Sequence, residues 1–229
     1  MKKQLLVSIC IIACLVLISC KGDTGAPGDP SDGIMSMTFQ QGVRPYPGYS
    51  GCLDNYLSSN NPTVNYETSM DLLVGRSASS TYRTLIKFDL SPLVPSNVTV
   101  KAAYLSFSNS YCQTSIQPIA AYKVTQFWDD LATWNTYNGS TAWPGANGGT
   151  YNATPVSDIV SIGNSSLEVV LKLDNSLVQD WLVNSLSNYG VIIIGQNDNT
   201  TNYGVYYNKS SEQVLAEPHP KLTIYYTLP

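Results

Sequence analysis

Apolar and polar positions alternate most regularly in residues 82–91, where Ile86, Phe88 and Leu90 fall on one side and Arg83, Lys87 and Asp89 on the other. A period of two marks a strand with one buried and one wetter face, so this stretch is expected to be a central strand. After a Pro-bearing link at 91–97, residues 99–108 alternate again through Ala103, Leu105 and Phe107, and the two runs read as a hairpin or a longer β-connection. Shorter strand patterns occupy 54–57, 71–75, 119–125, 167–173, 203–207 and 222–226, while the apolar run 191–194 suits a strand buried on both faces. One helix is expected: Asp174, Asn175 and Ser176 supply N-cap chemistry, and Leu177, Val178, Trp181, Leu182 and Leu186 form an apolar stripe. About ten strands with one short helix predict an all-β fold, a jelly-roll β-sandwich with the helix plugging one end.

The first fifty residues follow a different pattern. Lys2 and Lys3 precede an apolar run, residues 5–18, that is short for a membrane span and ends in Leu17-Ile18-Ser19-Cys20. That ending resembles a bacterial lipobox, which implies a lipoprotein signal peptide at 1–19 and a diacylglycerol-bearing Cys20. The expected location is extracytoplasmic, lipid-anchored at the membrane, with Lys21 after the cysteine favouring the outer membrane or cell surface. Several acyl chains give stable anchoring because each buried methylene adds roughly 0.8 kcal/mol. Residues 22–30 then form three collagen-like Gly-X-Y triplets, too few for a triple helix unaided, and 20–50 stay rich in Gly, Pro and Ser. This region is expected to be a tether, with the globular domain covering 51–229.

Composition narrows the function classes. Of 229 residues, 12% are charged, against about 25% in typical soluble domains. The polar surface must therefore be built largely from Ser, Thr, Asn, Gln and the 16 Tyr. A sequence pI near 4.8 and the lack of clustered Lys and Arg argue against nucleic acid as a partner.

Several pieces occur in an order that is similar to the DNRLRE domain, also called carbohydrate-binding module family 96. They are Asp54-x-Tyr56-Leu57, Leu73-x-Gly75, Arg83-x-Leu85-Ile86-x-Phe88-Asp89-Leu90-Ser91 and Ala103-x-Leu105. Then come Val124-x-x-x-Trp128 with Thr133-Trp134-Asn135, Val178-x-x-Trp181, Asn188-Tyr189-Gly190-Val191 and Pro220-x-Leu222-x-Ile224-x-Tyr226. The resemblance covers about residues 52–227. It implies a jelly roll on an exported protein that binds a polysaccharide or cell-surface glycan. Some members bind alginate, but the acidic balance here suits a neutral glycan at least as well.

A glycan site needs exposed aromatic faces to stack on sugar rings and amides or carboxylates to bond hydroxyls. The long Gly- and Asn-rich stretch 137–155 offers Tyr137, Trp143, Asn147 and Tyr151 for this, although Trp143 could equally fold back as a lid on the sandwich end. Trp128, Trp134 and Trp181 are expected to be core. Asp54, Asp71 and the pair Asp129-Asp130 leave a structural Ca²⁺ open, but no Asp-x-Asp-x-Asp loop is present. His219, the single histidine, sits between two prolines and reads as leading into the last strand rather than as a catalytic group. With no acid/base constellation in view, the protein is expected not to be an enzyme; a structural or adhesive envelope protein is the alternative, and a polysaccharide lyase or hydrolase the third reading. Cys10 and Cys14 leave with the leader, so Cys52 and Cys112 remain as an expected disulfide, worth roughly 4 kcal/mol by loop closure.

Overall fold

The computed structural model describes residues 33–229 apart from 92, 114–116, 164–165, 197 and 199–203. The leader, Cys20 and the Gly-X-Y triplets lie outside the described residues.

The alternating run around residue 85 is indeed a central strand. This strand, β4 (Thr81–Phe88), carries β2 (Cys52–Ser58) along one edge, in a register running from Cys52 opposite Phe88 to Ser58 opposite Tyr82. Its other edge is shared between β10 (Val191–Gly195), which places Ile192 opposite Leu85, and β3 (Asp71–Arg76), which meets it at Thr81 and Tyr82. Beyond β10 comes β6 (Gln117–Val124), flanked by β7 (Tyr151–Pro155) and β8 (Val160–Ile162).

A second wall contains β1 (Ile34–Gln40), β12 (Lys221–Thr227), β5 (Thr99–Gln113) and β9 (Glu168–Leu173), paired in that order. The fifteen-residue β5 joins the walls: past Ser108 it pairs with β11 (Gly204–Lys209), which in turn pairs with β3. The described strands thus form one curled, antiparallel sheet of twelve rather than about ten. Between the walls lies the main core, in which Phe39, Ile86, Leu105, Leu171, Tyr206 and Ile224 are all essentially inaccessible. A smaller group sets Tyr56, Leu73 and Val205 against Tyr66, Tyr82 and Tyr207.

The helix forms where its stripe predicts it. In α1 (Asn175–Val183), Leu177, Val178, Trp181 and Leu182 enter the main core. Asp174 occupies the N-cap position, but its backbone carbonyl, not its side chain, accepts from Leu177 and Val178. Leu186 is not part of the stripe; the helix ends at Val183, and Leu186 stands 92% exposed on the following 3₁₀ turn, Ser185–Ser187.

Two expectations are corrected. The folded unit does not begin at 51, because β1 pairs along seven residues with β12 and buries Phe39. Tyr49, also buried, donates its hydroxyl to the Asp89 carbonyl at 2.8 Å, so residues 34–50 belong to the sandwich and not to a tether. Cys52 and Cys112 do not form the expected disulfide. Cys52 opens β2 and Cys112 lies one residue before the end of β5, and β4, β3 and β11 stand between them along the hydrogen-bonded path. Burial raises both thiols, that of Cys52 further through the neighbouring Asp54 carboxylate.

Candidate functional site

The outward side of β4 and β10 is not a wet face. Leu57, Leu85, Val124, Ile192 and Ile194 present an apolar surface there, and the segment 125–150 folds down over it, burying Trp128, Ala132 and Trp143. Both indoles find acceptors as they enter, which removes the penalty for burying an N–H: Trp128 Nε1 donates to the Tyr189 carbonyl at 2.8 Å and Trp143 Nε1 to the Thr133 carbonyl at 2.9 Å. Asn55 anchors the segment from below through Nδ2 to the Ala132 carbonyl at 2.9 Å. Lys87 does so through Nζ to the Trp128 carbonyl at 3.0 Å, with its ammonium 4.9 Å from the Trp128 ring; burial holds its pKa down, opposed by Asp129 and Asp130. Because β10 is covered on both faces, all five of its residues are buried, which is why its sequence is a continuous apolar run.

Where the covering segment returns toward β7, it leaves a shelf of partly buried rings. Arg83, projecting from β4, is clamped to Asp198 on the turn after β10, with Nε and Nη2 each 3.0 Å from Oδ2, and donates through Nη1 to the Gly148 carbonyl at 2.9 Å. Its guanidinium lies 5.0 Å from the centroid of the Trp134 ring and 5.6 Å from that of Tyr151. Arg83 therefore supports both rings from beneath by cation–π contact. Gly148 makes this approach possible: its φ is +85°, and a Cβ there would sit 2.9 Å from both Arg83 Nη1 and the Trp134 ring. Tyr122 continues the shelf, 5.6 Å from Tyr151 in an edge-on arrangement, and accepts from Gln196 Nε2 at 2.9 Å. At the opposite end Asn147 Nδ2 donates to Asn135 Oδ1 at 2.9 Å.

Of the residues expected in the site, Tyr151 and Asn147 belong to this shelf. Tyr137 is half-buried, with its ring 6.1 Å from that of Trp143. Trp143 is not an exposed stacking ring; it is 3% exposed and acts as the lid residue. Trp134, expected in the core, packs partly buried against the covering cluster, with the rest of its ring on the shelf. Arg83, Tyr122, Gln196 and Asp198 were not anticipated. A signal for Arg83 existed in its position on the same side of β4 as Leu85, whose burial requires a cover.

The carboxylates considered for Ca²⁺ are dispersed. Asp71 pairs with Lys209 at 2.8 Å, Asp54 is buried in β2, and Asp129 Oδ1 accepts from the Leu131 N–H at 3.1 Å. Among the described residues no group of three or more His, Cys, Asp and Glu side chains could hold a metal. His219 precedes β12 and is buried, with Nδ1 3.0 Å from the Gln41 carbonyl and Nε2 2.9 Å from that of Gln213. Among the described residues no helix is long and apolar enough to cross a membrane.

Chemically, the shelf offers ring faces flanked by amides: the Trp134, Tyr151 and Tyr122 rings with Asn135, Asn147 and Gln196 around them. Such a surface can stack on the C–H faces of flat ligands and bond their hydroxyls. Compared with protein-family models and with curated proteins, the chain matches none.

Proposed function

We propose that this chain is an exported, lipid-anchored surface protein whose β-domain binds polysaccharide without cleaving it. The observation that carries the reading is the shelf of Trp134, Tyr151 and Tyr122, locked from below by Arg83 and Asp198 and edged by amide side chains. Rigid aromatic rings lose little conformational entropy on binding, and the clamp fixes two of them in advance. The lipobox-like ending at Cys20 and the ordered resemblance to the DNRLRE domain support the same reading. A non-catalytic role is consistent with Asp198, the shelf's carboxylate, being engaged by Arg83, since glycoside hydrolysis generally uses two available carboxyl groups. The test is affinity electrophoresis of the full chain through gels containing neutral and anionic polysaccharides. Retention that falls in a Trp134→Ala, Tyr151→Ala double variant is expected; no retention on any polysaccharide would overturn the reading.

A structural or adhesive role with a protein partner is favoured by one observation: Phe127, Leu131, Val183 and Leu186 are large apolar side chains left largely exposed. Cross-linking on intact cells that recovers a stoichiometric protein partner, together with absent glycan retention, would establish that role instead.

A further inference from the structure

The outermost strands of a sheet carry backbone groups that need a partner, a cover or a deterrent. β9, at one margin of the second wall, has a cover and charges. It carries Glu168 and Lys172, and residues 157–158 lie along it, the Asp158 N–H donating to the Lys172 carbonyl at 3.2 Å and the Lys172 N–H to Asp158 Oδ1 at 2.9 Å. β1, at the other margin, is built differently. Its sequence, Ile-Met-Ser-Met-Thr-Phe-Gln, holds no charge and no proline, and its register with β12 runs without a bulge.

Which groups of β1 face outward follows from its last residue. The Gln40 N–H donates to the Arg44 carbonyl at 2.9 Å, and the Gln40 carbonyl accepts from the Arg44 N–H at 3.0 Å, so the backbone of Gln40 is turned away from β12. Bonding direction alternates along an antiparallel strand. Thr38, Ser36 and Ile34 therefore also turn their N–H and C=O groups outward, while Phe39, Met37 and Met35 bond β12. The Thr38 and Thr223 hydroxyls, 3.0 Å apart, agree with this, because facing side chains lie closest in pairs that exchange no backbone bonds. Among the described residues, nothing bonds the outward backbone groups of Ile34, Ser36 and Thr38. Ser36 is exposed, and the apolar side chains of Ile34 and Met35 stand 51% and 45% exposed.

This open edge is bounded at both ends. Arg44 occupies the outward groups of Gln40, and Gly33, with φ +59°, turns the chain out of the strand before Ile34. An incoming strand thus has residues 34–38 to pair with, centred on Ser36. A second copy presents the same stretch, and turned antiparallel about a twofold axis at Ser36 it meets every outward group. Ser36 exchanges both backbone bonds with its counterpart, and Ile34 does so with the partner's Thr38. The same register sets Met35 against the partner's Met37 on the core side and covers a side chain that the single copy leaves exposed. A slip of two residues one way runs the incoming strand into Arg44; the other way it leaves Thr38 unpaired. The residues that precede β1 are poor strand partners for it, because Pro27 and Pro30 have no N–H to donate.

We propose that β1 is a dimerisation strand, which pairs antiparallel with β1 of a second copy about Ser36 and continues the sheet across the interface. A ladder of this length is a small interface, and the lipid anchor proposed at Cys20 strengthens it by holding both copies on one membrane. From Cys20 to Gly33 the extended chain reaches at most roughly 45 Å, so the two strands share a thin layer in which the effective concentration of each is raised. The pairing is independent of what the shelf binds.

The test is disulfide trapping of the full chain in membranes, read on non-reducing gels, with sedimentation of the detergent-solubilised chain alongside. Ser36→Cys is expected to cross-link to a dimer, as are Ile34→Cys and Thr38→Cys produced together. Thr38→Cys alone should not, because the register keeps its two copies apart. The unsubstituted chain is the blank, since Cys52 and Cys112 are both buried. Sedimentation should show a monomer–dimer equilibrium. Ser36→Pro should shift it toward monomer at least about tenfold without lowering the melting temperature, because the N–H it removes points away from β12. If Ser36→Pro folds poorly, Ser36→Lys sets like charges opposite one another at an exposed position and serves in its place. Thr38→Cys alone trapping as strongly as Ser36→Cys, a dimer indifferent to both Ser36 variants, a trimer, or a monomer without trapping would each overturn the proposal. Glycan retention is read separately on affinity gels, so either proposal can fail while the other stands.

Discussion

Arg83 and Asp198 meet 3.0 Å apart with side-chain exposures of 12% and 7%, and the pair joins the central strand to the turn after β10 directly beneath the Trp134 and Tyr151 rings. A pair this shielded is costly to break, because the surviving charge keeps its desolvation penalty and loses its partner. Asp198→Asn is expected to destabilise the domain by about 3 kcal/mol, measured by urea unfolding. It should also lower polysaccharide retention, since Arg83 would no longer be held under the two rings. Unchanged stability would show that the pair is solvated in solution.

The two tryptophans Trp143 and Trp134 give a second prediction. Trp143→Ala removes a buried side chain and its bond to Thr133, and is expected to cost about 3–5 kcal/mol. Trp134→Ala, at a partly buried position, should cost less than Trp143→Ala and yet produce the larger loss of polysaccharide retention. Thermal unfolding and affinity gels on the two variants separate these effects, and equal destabilisation would contradict the assignment of Trp134 to the shelf.

Asp54 sets a pH dependence. Burial pushes its carboxyl up to about 6, opposed by the Ser211 N–H that donates to Oδ2 at 2.9 Å, and its surroundings include Cys52, Glu212 and His219. An unfolded Asp titrates near about 3.9, so between these values the folded state holds the extra proton. This contribution is fully present below about pH 4 and is lost as pH rises through about 6, a change of about 3 kcal/mol by linkage. Asp54→Asn should flatten that part of the profile; the difference between the two proteins, measured by urea unfolding from pH 4 to pH 8, isolates Asp54 from the other carboxylates. A constant difference across that range would show that Asp54 titrates normally.

How much of this could be read from sequence depended on which forces shape each element. Strands with a clear period of two, such as β4, β5 and β9, and the helix stripe from Leu177 to Leu182 were recognisable because one face of each meets the main core. β7 and β8 were not, since Tyr-Asn-Ala-Thr-Pro and a three-residue run carry almost no apolar alternation and are placed by pairing with β6. The segment 137–155 stands out as a candidate site by its Gly and Asn content, but which of its aromatic rings turns inward stays open, because Trp143 and Trp134 have the same propensities. What distinguishes them is tertiary: a carbonyl acceptor within reach of one indole and a guanidinium beneath the other ring. Arg83 and Asp198 are 115 residues apart, and no local pattern brings them together.

The two cysteines give a test by reduction. With β4, β3 and β11 between their strands, Cys52 and Cys112 are not bridged, so reductant should leave the melting temperature unchanged. A disulfide closing that loop would contribute roughly 4 kcal/mol, enough to shift the midpoint by several degrees. A large drop on reduction would therefore mean that the two thiols are bridged in solution.

The boundary of the folded unit is the last point open to direct measurement. Among the described residues β1 pairs only with β12, and edge strands are often expendable, but this one carries two inward anchors. Phe39 is completely buried, and Gln40 Nε2 lies 3.0 Å from the carbonyls of Ala216 and Glu217 and 3.2 Å from that of His219, which ties the strand to the segment leading into β12. Phe39→Ala is expected to destabilise by about 3–5 kcal/mol, a loss that a dispensable tether could not produce. Gln40→Ala would remove the side-chain donor to those three carbonyls, of which Ala216 keeps the His219 N–H at 3.1 Å, and should cost about 1–3 kcal/mol. Chemical unfolding of both variants checks this, and wild-type stability in the two of them would return residues 34–50 to the status of a linker.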